Sequence, residues 1–340
     1  MKKAMVILLC LLLTMSVVWA NGSTENASTT GLTKVKIGYM PNLISASIAA
    51  ICDQEGYFTE YGLNAELVKF TSGPPEFAAM AAGDLDAGII GHGAHLLAIQ
   101  GQAEIFYFEC LGNSDKVMTR SETGIKTAAD LKGKTIACVL GTSSEALLNL
   151  TLESAGLTKS DVKIVSMDQN GAGTALIAGQ VDAAAIWSPM TVTVQDALKE
   201  KTVIISSIGD FADKAPSPGS WITSAKLIKN NPETVKALTK CFLKANSFRA
   251  ANIEKTAEYV ATLIGTDKEE VMKEVLTAKW FTADEIYELV KNGTVDEWYS
   301  AEQQMFIDAG KLESKVPNET YFDKSFILSC YEEMKANGEL

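Results

Sequence analysis

Histidine is nearly missing: His92 and His95 are the two in 340 residues. A Ser-His-Asp hydrolase would have to use one of them, and a zinc site built on them would lack a third histidine. Cysteine carries no chemical pattern either. Of the six, Cys10 lies in an apolar N-terminal stretch. Cys52, Cys110, Cys138, Cys241 and Cys330 stand far apart with no C-x-x-C pair. Zinc and redox-couple readings fall with that spacing, and buried free thiols are expected. Positive charge is short, with 30 Lys and Arg against 42 Asp and Glu and a net charge of −12. Such a surface repels phosphate backbones and anionic lipid, which excludes nucleic acid and membrane surfaces as partners. After the first twenty residues no apolar run is long enough to span a bilayer.

What is present begins with Met1–Ala20, where Lys2 and Lys3 precede an almost unbroken apolar stretch ending Val18-Trp19-Ala20. This reads as a secretory signal cut after Ala20; a retained anchor is the rival, but Ala4–Ala20 falls short of the roughly 20 residues a spanning helix needs. The working location is therefore periplasmic or extracytoplasmic. Residues 21–33, opening NGSTENASTT, read as a flexible tether. The remainder is long enough for two lobes with separate cores.

The chain repeats itself. ELVKFTSGPPEFAAMAAGDLDAGIIGHG (66–93) aligns in constant register with VKIVSMDQNGAGTALIAGQVDAAAIWSPM (162–190), matching Ala82-Gly83 to Ala178-Gly179 and Asp86-Ala87 to Asp182-Ala183. Upstream, VKIGYMPNLISASIAAICDQEGYFTEYGLNAELV resembles KTIACVLGTSSEALLNLTLESAGLTKSDVKIV. Each copy is a β-α-β-α-β unit, the pattern of a mostly parallel sheet covered by helices. The expected fold is α/β with two such lobes: residues 34–115 and 221–340 form lobe I, and 116–220 form lobe II. Crossings are expected near Asn113–Lys116 and Asp213–Ser220, and from Pro232 onward the spacing is helical. Ligands of such sheets bind at the carboxyl ends of the strands. The loops facing the cleft are then Tyr39–Ser47, Thr71–Pro75, Gly91–His95, Gly141–Ser144, Asp168–Gly173 and Trp187–Pro189.

In CVLGTSSEALLNL, small residues turn a strand into a helix, and Thr142, Ser143 or Ser144 can either cap that helix or leave its N–H groups to a ligand. The first copy offers Asn42 at the same place, and Ser72-Gly73 precedes the next helix. Ser143 is not a nucleophile elbow, because Glu145 stands where G-x-S-x-G needs glycine. His92, after Gly91, serves as a hydrogen-bonding or structural residue; with His95 it makes only half of a metal site. Trp187 either closes over a ligand or packs at a lobe edge, and Tyr39 is a weaker case of the same kind. No Lys or Arg falls in these loops.

Together VKIGYMPNL, EGYFTEYGLNAELVKFTSGPP, AAGDLDAGIIG, GIKTAADLKGKTIACVLGTSSEALL, AGQVDAAAIWSPM and NPETVKALTKCFLKA resemble the periplasmic binding proteins of ABC transporters for nitrate, sulfonate, taurine and bicarbonate, a group that includes thiamine-pyrimidine-precursor binders. The resemblance implies the two-lobed periplasmic binding fold of the second class, closing on one small molecule and delivering it to a permease and, through that, its ATPase. It implies a monomer with no cofactor, metal or catalytic residue. Ligand contacts would carry over to Ser72, Gly73, Gly91, Thr142, Ser143 and Trp187. Where many relatives carry Gly-Asp after the repeat strand, this chain has Gly91-His92. A sulfonate or other small oxyanion is the first ligand expected, from hydroxyl-rich helix starts; a heteroaromatic vitamin precursor stacked on Trp187 is the alternative. Two further readings are an enzyme on the same fold, whose relatives carry a cysteine-rich motif not found here, and a receptor domain serving a sensor.

Overall fold

The computed structural model describes residues 31–340; the expected signal segment, and the tether as far as Thr30, lie outside the described residues. Two mixed sheets organise the chain. The first contains β1 (Thr33–Tyr39), β2 (Leu63–Lys69), β3 (Ala87–Ile90) and β4 (Glu104–Gly112). The second contains β5 (Lys116–Arg120), β6 (Thr135–Cys138), β7 (Lys163–Ser166), β8 (Ala183–Ile186) and β9 (Thr202–Ser207). The chain then returns with β10 (Pro218–Thr223) and later β11 (Ala278–Trp280), giving sheet orders β11-β4-β10-β3-β1-β2 and β7-β6-β8-β5-β9.

The sequence repeat is visible in the backbone. Strand β1 runs parallel to β2 and β3, and β6 runs parallel to β7 and β8. In both copies an Ala-Gly turn ends a helix, with Gly83 and Gly179 at φ of 82° and 75°, a conformation glycine adopts without steric cost. The aspartates that follow do matching work: Asp86 accepts from the Lys36 N–H and Asp182 from the Thr135 N–H, each at 2.8 Å. Each ties the repeat strand to the start of the first strand in its own half.

Antiparallel strands complete both sheets, which the repeat did not show. β5 pairs antiparallel with β8 and β9, and β10 with β3 and β4. Each is reached by a crossing from the other half, so it lies outside the repeated unit. Because β10 opens at Pro218, residues 218–220, expected with lobe II, pair in the six-stranded sheet. A proline is tolerated at the first residue of a strand. The two crossings run side by side, with the Gly112 N–H donating to Ser217 O at 2.7 Å and the Ile208 N–H to Asp115 O at 3.1 Å.

Beyond Pro232 the chain is helical as expected, except for β11, which pairs antiparallel with the edge of β4. The 20-residue helix Pro232–Ala251 packs under the six-stranded sheet, its Phe242 ring 4.4 Å from Trp221. Arg249, fully buried, ion-pairs with Glu109, donates to Ser47 Oγ at 2.7 Å and lies over Trp280 at 4.5 Å. This joins β4, β11 and two helices in one network. One part of the core of the five-stranded half mixes Ala137, Ala172, Ala175 and Ala184 with Met118, Leu176, Ile186 and Met190. Cys52, Cys110, Cys138, Cys241 and Cys330 are buried and free.

Candidate functional site

A cavity of about 640 Å³, its open mouth included, lies between the two sheets at the ends of the parallel strands. Met40, Asn42 and Ile44 reach it from beyond β1, Gly73 and Pro74 from beyond β2, and Gly91 and Ala94 from beyond β3. Thr142 and Ser143 follow β6 and Trp187 follows β8, while Ser114, Asp115 and Ser217 come from the crossings and Gly219 from β10. The cavity's place, at the carboxyl ends of strands in two facing sheets, is where such sheets bind small molecules. The walls are mainly apolar, and no Lys or Arg lines them.

Of the residues expected from sequence, Asn42, Gly73, Gly91, Thr142, Ser143 and Trp187 share this cavity, and Tyr39, Ser72 and His92 do not line it. Tyr39 ends β1 on the opposite side, packed with Leu43, Ala46 and Ala257. Ser72 is half-buried in the loop before the helix Pro74–Ala82. His92 stands one layer back: its Nδ1 is 2.7 Å from Ser217 Oγ, and Ser217 is the residue that faces the cavity. Burial, aided by neighbouring His95, lowers His92 to about 3, so the ring is neutral and fixes Ser217. The loop Asp168–Gly173 contributes no wall residue; Gln169 instead donates to the Trp187 main-chain carbonyl at 3.2 Å.

The helix starts divide between capped and uncapped. Asn42 Oδ1 accepts from the Ser45 N–H at 2.8 Å, and the Glu274 carboxylate accepts from the Leu43 N–H at 3.3 Å. Thr142 makes no cap; its hydroxyl donates to Val139 O at 2.7 Å. Ser143 Oγ donates to Asp115 Oδ1 at 2.7 Å. Burial raises Asp115 to about 7 against the hydrogen bonds from Ser143 and Ser114. Burial would raise Glu145 as well, but the Gly141 N–H, Lys159 and Lys311 outweigh it and bring that carboxyl down to about 2.

The halves touch beside the cavity. A Cβ built on Gly93 would fall on the Thr142 carbonyl and the Ser143 nitrogen, so only glycine allows this approach. Lys311, from the helical region, pairs with Glu145 of the five-stranded half at 2.8 Å. Sequence reasoning misses Asp115 and Ser217 as wall residues. The signal that could have found them is the crossings themselves, expected near Asn113–Lys116 and Asp213–Ser220, since chain that passes between lobes forms the floor of the cleft.

Residues 46–255 match the family described as NMT1/THI5 like. The chain belongs to the NMT1/THI5-like family. Among relatives, a Brucella abortus (strain 2308) protein named as a binding protein is 34% identical over 288 residues, 85% of this chain and 89% of that one. The taurine-binding periplasmic protein of Escherichia coli (strain K12) is 28% identical over 214 residues, 61% of this chain and 65% of that one. The alkanesulfonate-binding protein of Xanthomonas axonopodis pv. citri, solved bound to MOPS, superposes with a TM-score of 0.68 at 20% identity, covering 86% of this chain and 98% of that one. A desulfurization enzyme shares the fold at a TM-score of 0.62 and 17% identity, over 88% and 99% of the two chains. This NMT1/THI5-like chain thus has the periplasmic binding protein fold and resembles the binding proteins of ABC transporters. Among the described residues no helix is long and apolar enough to cross a membrane.

Proposed function

We propose that the chain is the solute-binding component of an ABC importer, exported by a cleavable signal, which captures one small molecule by closure of its two lobes and presents it as a monomer to the permease. The observation that carries this is the cavity itself, walled from both sheets and floored by the two crossings. Contacts from both sides favour the closed arrangement over the open one, and the closed arrangement is what a permease can read. The names of the relatives support capture and transport.

An enzyme on this fold has less support. The thiol on the cavity wall, Cys110, is pushed well up by burial and by Glu109, which leaves it a poor nucleophile. The sulfonate expected from sequence draws support from the names of relatives, while the walls described above offer it no cation. A thermal-shift screen of the purified chain against alkanesulfonates, taurine, nitrate, bicarbonate, pyrimidines and flavins tests the reading. A ligand at 100 times its Kd adds about 2.7 kcal/mol of stability, with recovery of the ligand unchanged. A ligand that is converted would move the chain to the enzymes.

A further inference from the structure

We propose that the two halves carry a built-in latch, the ion pair of Lys311 with Glu145, which holds them together when no ligand is bound. This rests on the capture reading, in which the halves open and close, and adds to it a holding contact made by the chain itself.

Glu145 stands in the first turn of the helix Ser143–Ser154, in the five-stranded half, and Lys311 follows the helix Thr294–Asp308 in the shell of the six-stranded half. Their charges meet at 2.8 Å, with the Glu145 side chain 6 % and the Lys311 side chain 25 % exposed. Ion pairs in open water contribute little, because solvent and salt screen them; this one is largely sheltered from both. A second pair across the halves, Lys273 with Asp196 at 2.6 Å, shows the contrast. Both of its ends are more than a third exposed, and Lys273 is shared with Glu270, so the holding falls to Lys311.

The pair forms only when the halves are together. Beside it Gly93 lies so close to the Thr142 carbonyl that no Cβ would fit, and Lys311 lines the same seam with Gly93, Thr142 and Ala146. A rotation about the two crossings that parts Gly93 from Thr142 carries Lys311 away from Glu145. Glu145 is not stranded when that happens: Lys159 of its own half stays paired with it at 2.5 Å, and the Gly141 N–H donates to it at 2.7 Å. Opening therefore loses only the contact that spans the halves, as a reversible latch requires; a buried charge left without any partner would lock them shut. Through Gly141 the latch also grips the turn that places Thr142 and Ser143 on the cavity wall.

The test is hydrogen exchange, read by mass spectrometry, on the ligand-free full chain. Residues 91–95 belong to the six-stranded half and lie under the helix start of the other half, so their exchange reports parting of the two. In Lys311→Met that exchange is expected to rise about tenfold. Lys159→Met takes the same charge from Glu145 without crossing the seam and should leave residues 91–95 at the wild-type rate, as should the charge-keeping Lys311→Arg. Exchange there unchanged in Lys311→Met, or raised equally by Lys159→Met, would overturn the latch and leave capture standing. Lys311→Gln repeats the measurement if Lys311→Met does not fold, which its circular dichroism melt would show. Capture is read separately by the thermal-shift screen of the wild-type chain; a chain stabilised by no ligand would overturn capture, and the latch with it.

Discussion

The two halves share a skeleton and differ in how they are filled. Both tie the repeat strand back through an aspartate at the same distance, Asp86 to Lys36 and Asp182 to Thr135. The six-stranded half adds a helical shell and buries the Arg249–Glu109 ion pair and the hydrogen-bonded His95 and Glu302. The five-stranded half mixes alanines with Met118, Leu176 and Met190 and leaves its helix start at Thr142 without a side-chain cap. The difference teaches that one repeated unit became a platform wrapped in a helical shell, the other a smaller jaw whose uncapped helix start meets the cavity.

The contact between them breaks most easily at Gly93. Gly93→Val, whose side chain would strike the Thr142 carbonyl, is expected to hold the halves apart and weaken ligand binding by about 100-fold, or 2.7 kcal/mol. Titration calorimetry reads the loss, and small-angle scattering should show a larger radius of gyration with ligand present. Unchanged affinity would mean that this approach is not part of the bound state.

A paired substitution sharpens the contrast in packing. Gly88→Ala drives a methyl into the buried Glu76 carboxyl, whereas Gly173→Ala meets the side chain of Met190. The platform should lose about 3 kcal/mol and the jaw about 1, since methionine repacks readily. Urea denaturation of both variants measures this, and equal losses would remove the distinction.

The halves also titrate in opposite senses. Glu145, held at about 2 in the fold, contributes stability that is present above its ordinary range near 4.5 and lost as pH falls toward 2. Glu145→Gln should cost about 2 kcal/mol at neutral pH and flatten the acid limb. Asp115 and Glu274, both raised by burial to about 7, bind protons in the fold that the unfolded chain has released. Their contribution therefore falls as pH rises from about 4 to 7, by up to about 1.4 kcal/mol per pH unit for each. Melting temperature against pH, for wild type and Asp115→Asn, separates the two limbs. The smallest effect concerns the caps: Asn42→Ala should cost about 1 kcal/mol, and Thr142→Ala less helix stability, because Thr142 makes no cap.

Much of this architecture is legible in the amino-acid sequence. The repeat, the Ala-Gly turns and the loops after β1, β2, β3, β6 and β8 follow from local pattern, and the residues placed there mostly share the cavity. Tyr39 escapes because it is the last residue of β1, where alternation sends its side chain to the helical side. Asp115 escapes because its burial depends on two crossings about a hundred residues apart in sequence lying together, and a lone aspartate has no periodicity. β11 escapes because three residues pair only where the edge of β4 is free to receive them.

The placement of β10 has a consequence for biogenesis. It fills the gap between β3 and β4, yet it is synthesised only after the whole five-stranded half. Until residues 218–223 emerge, β3 and β4 each carry an open hydrogen-bonding edge, the kind of surface that pairs with the wrong chain. The platform therefore finishes last although it begins first, and a slow, chaperone-sensitive step is expected late in maturation.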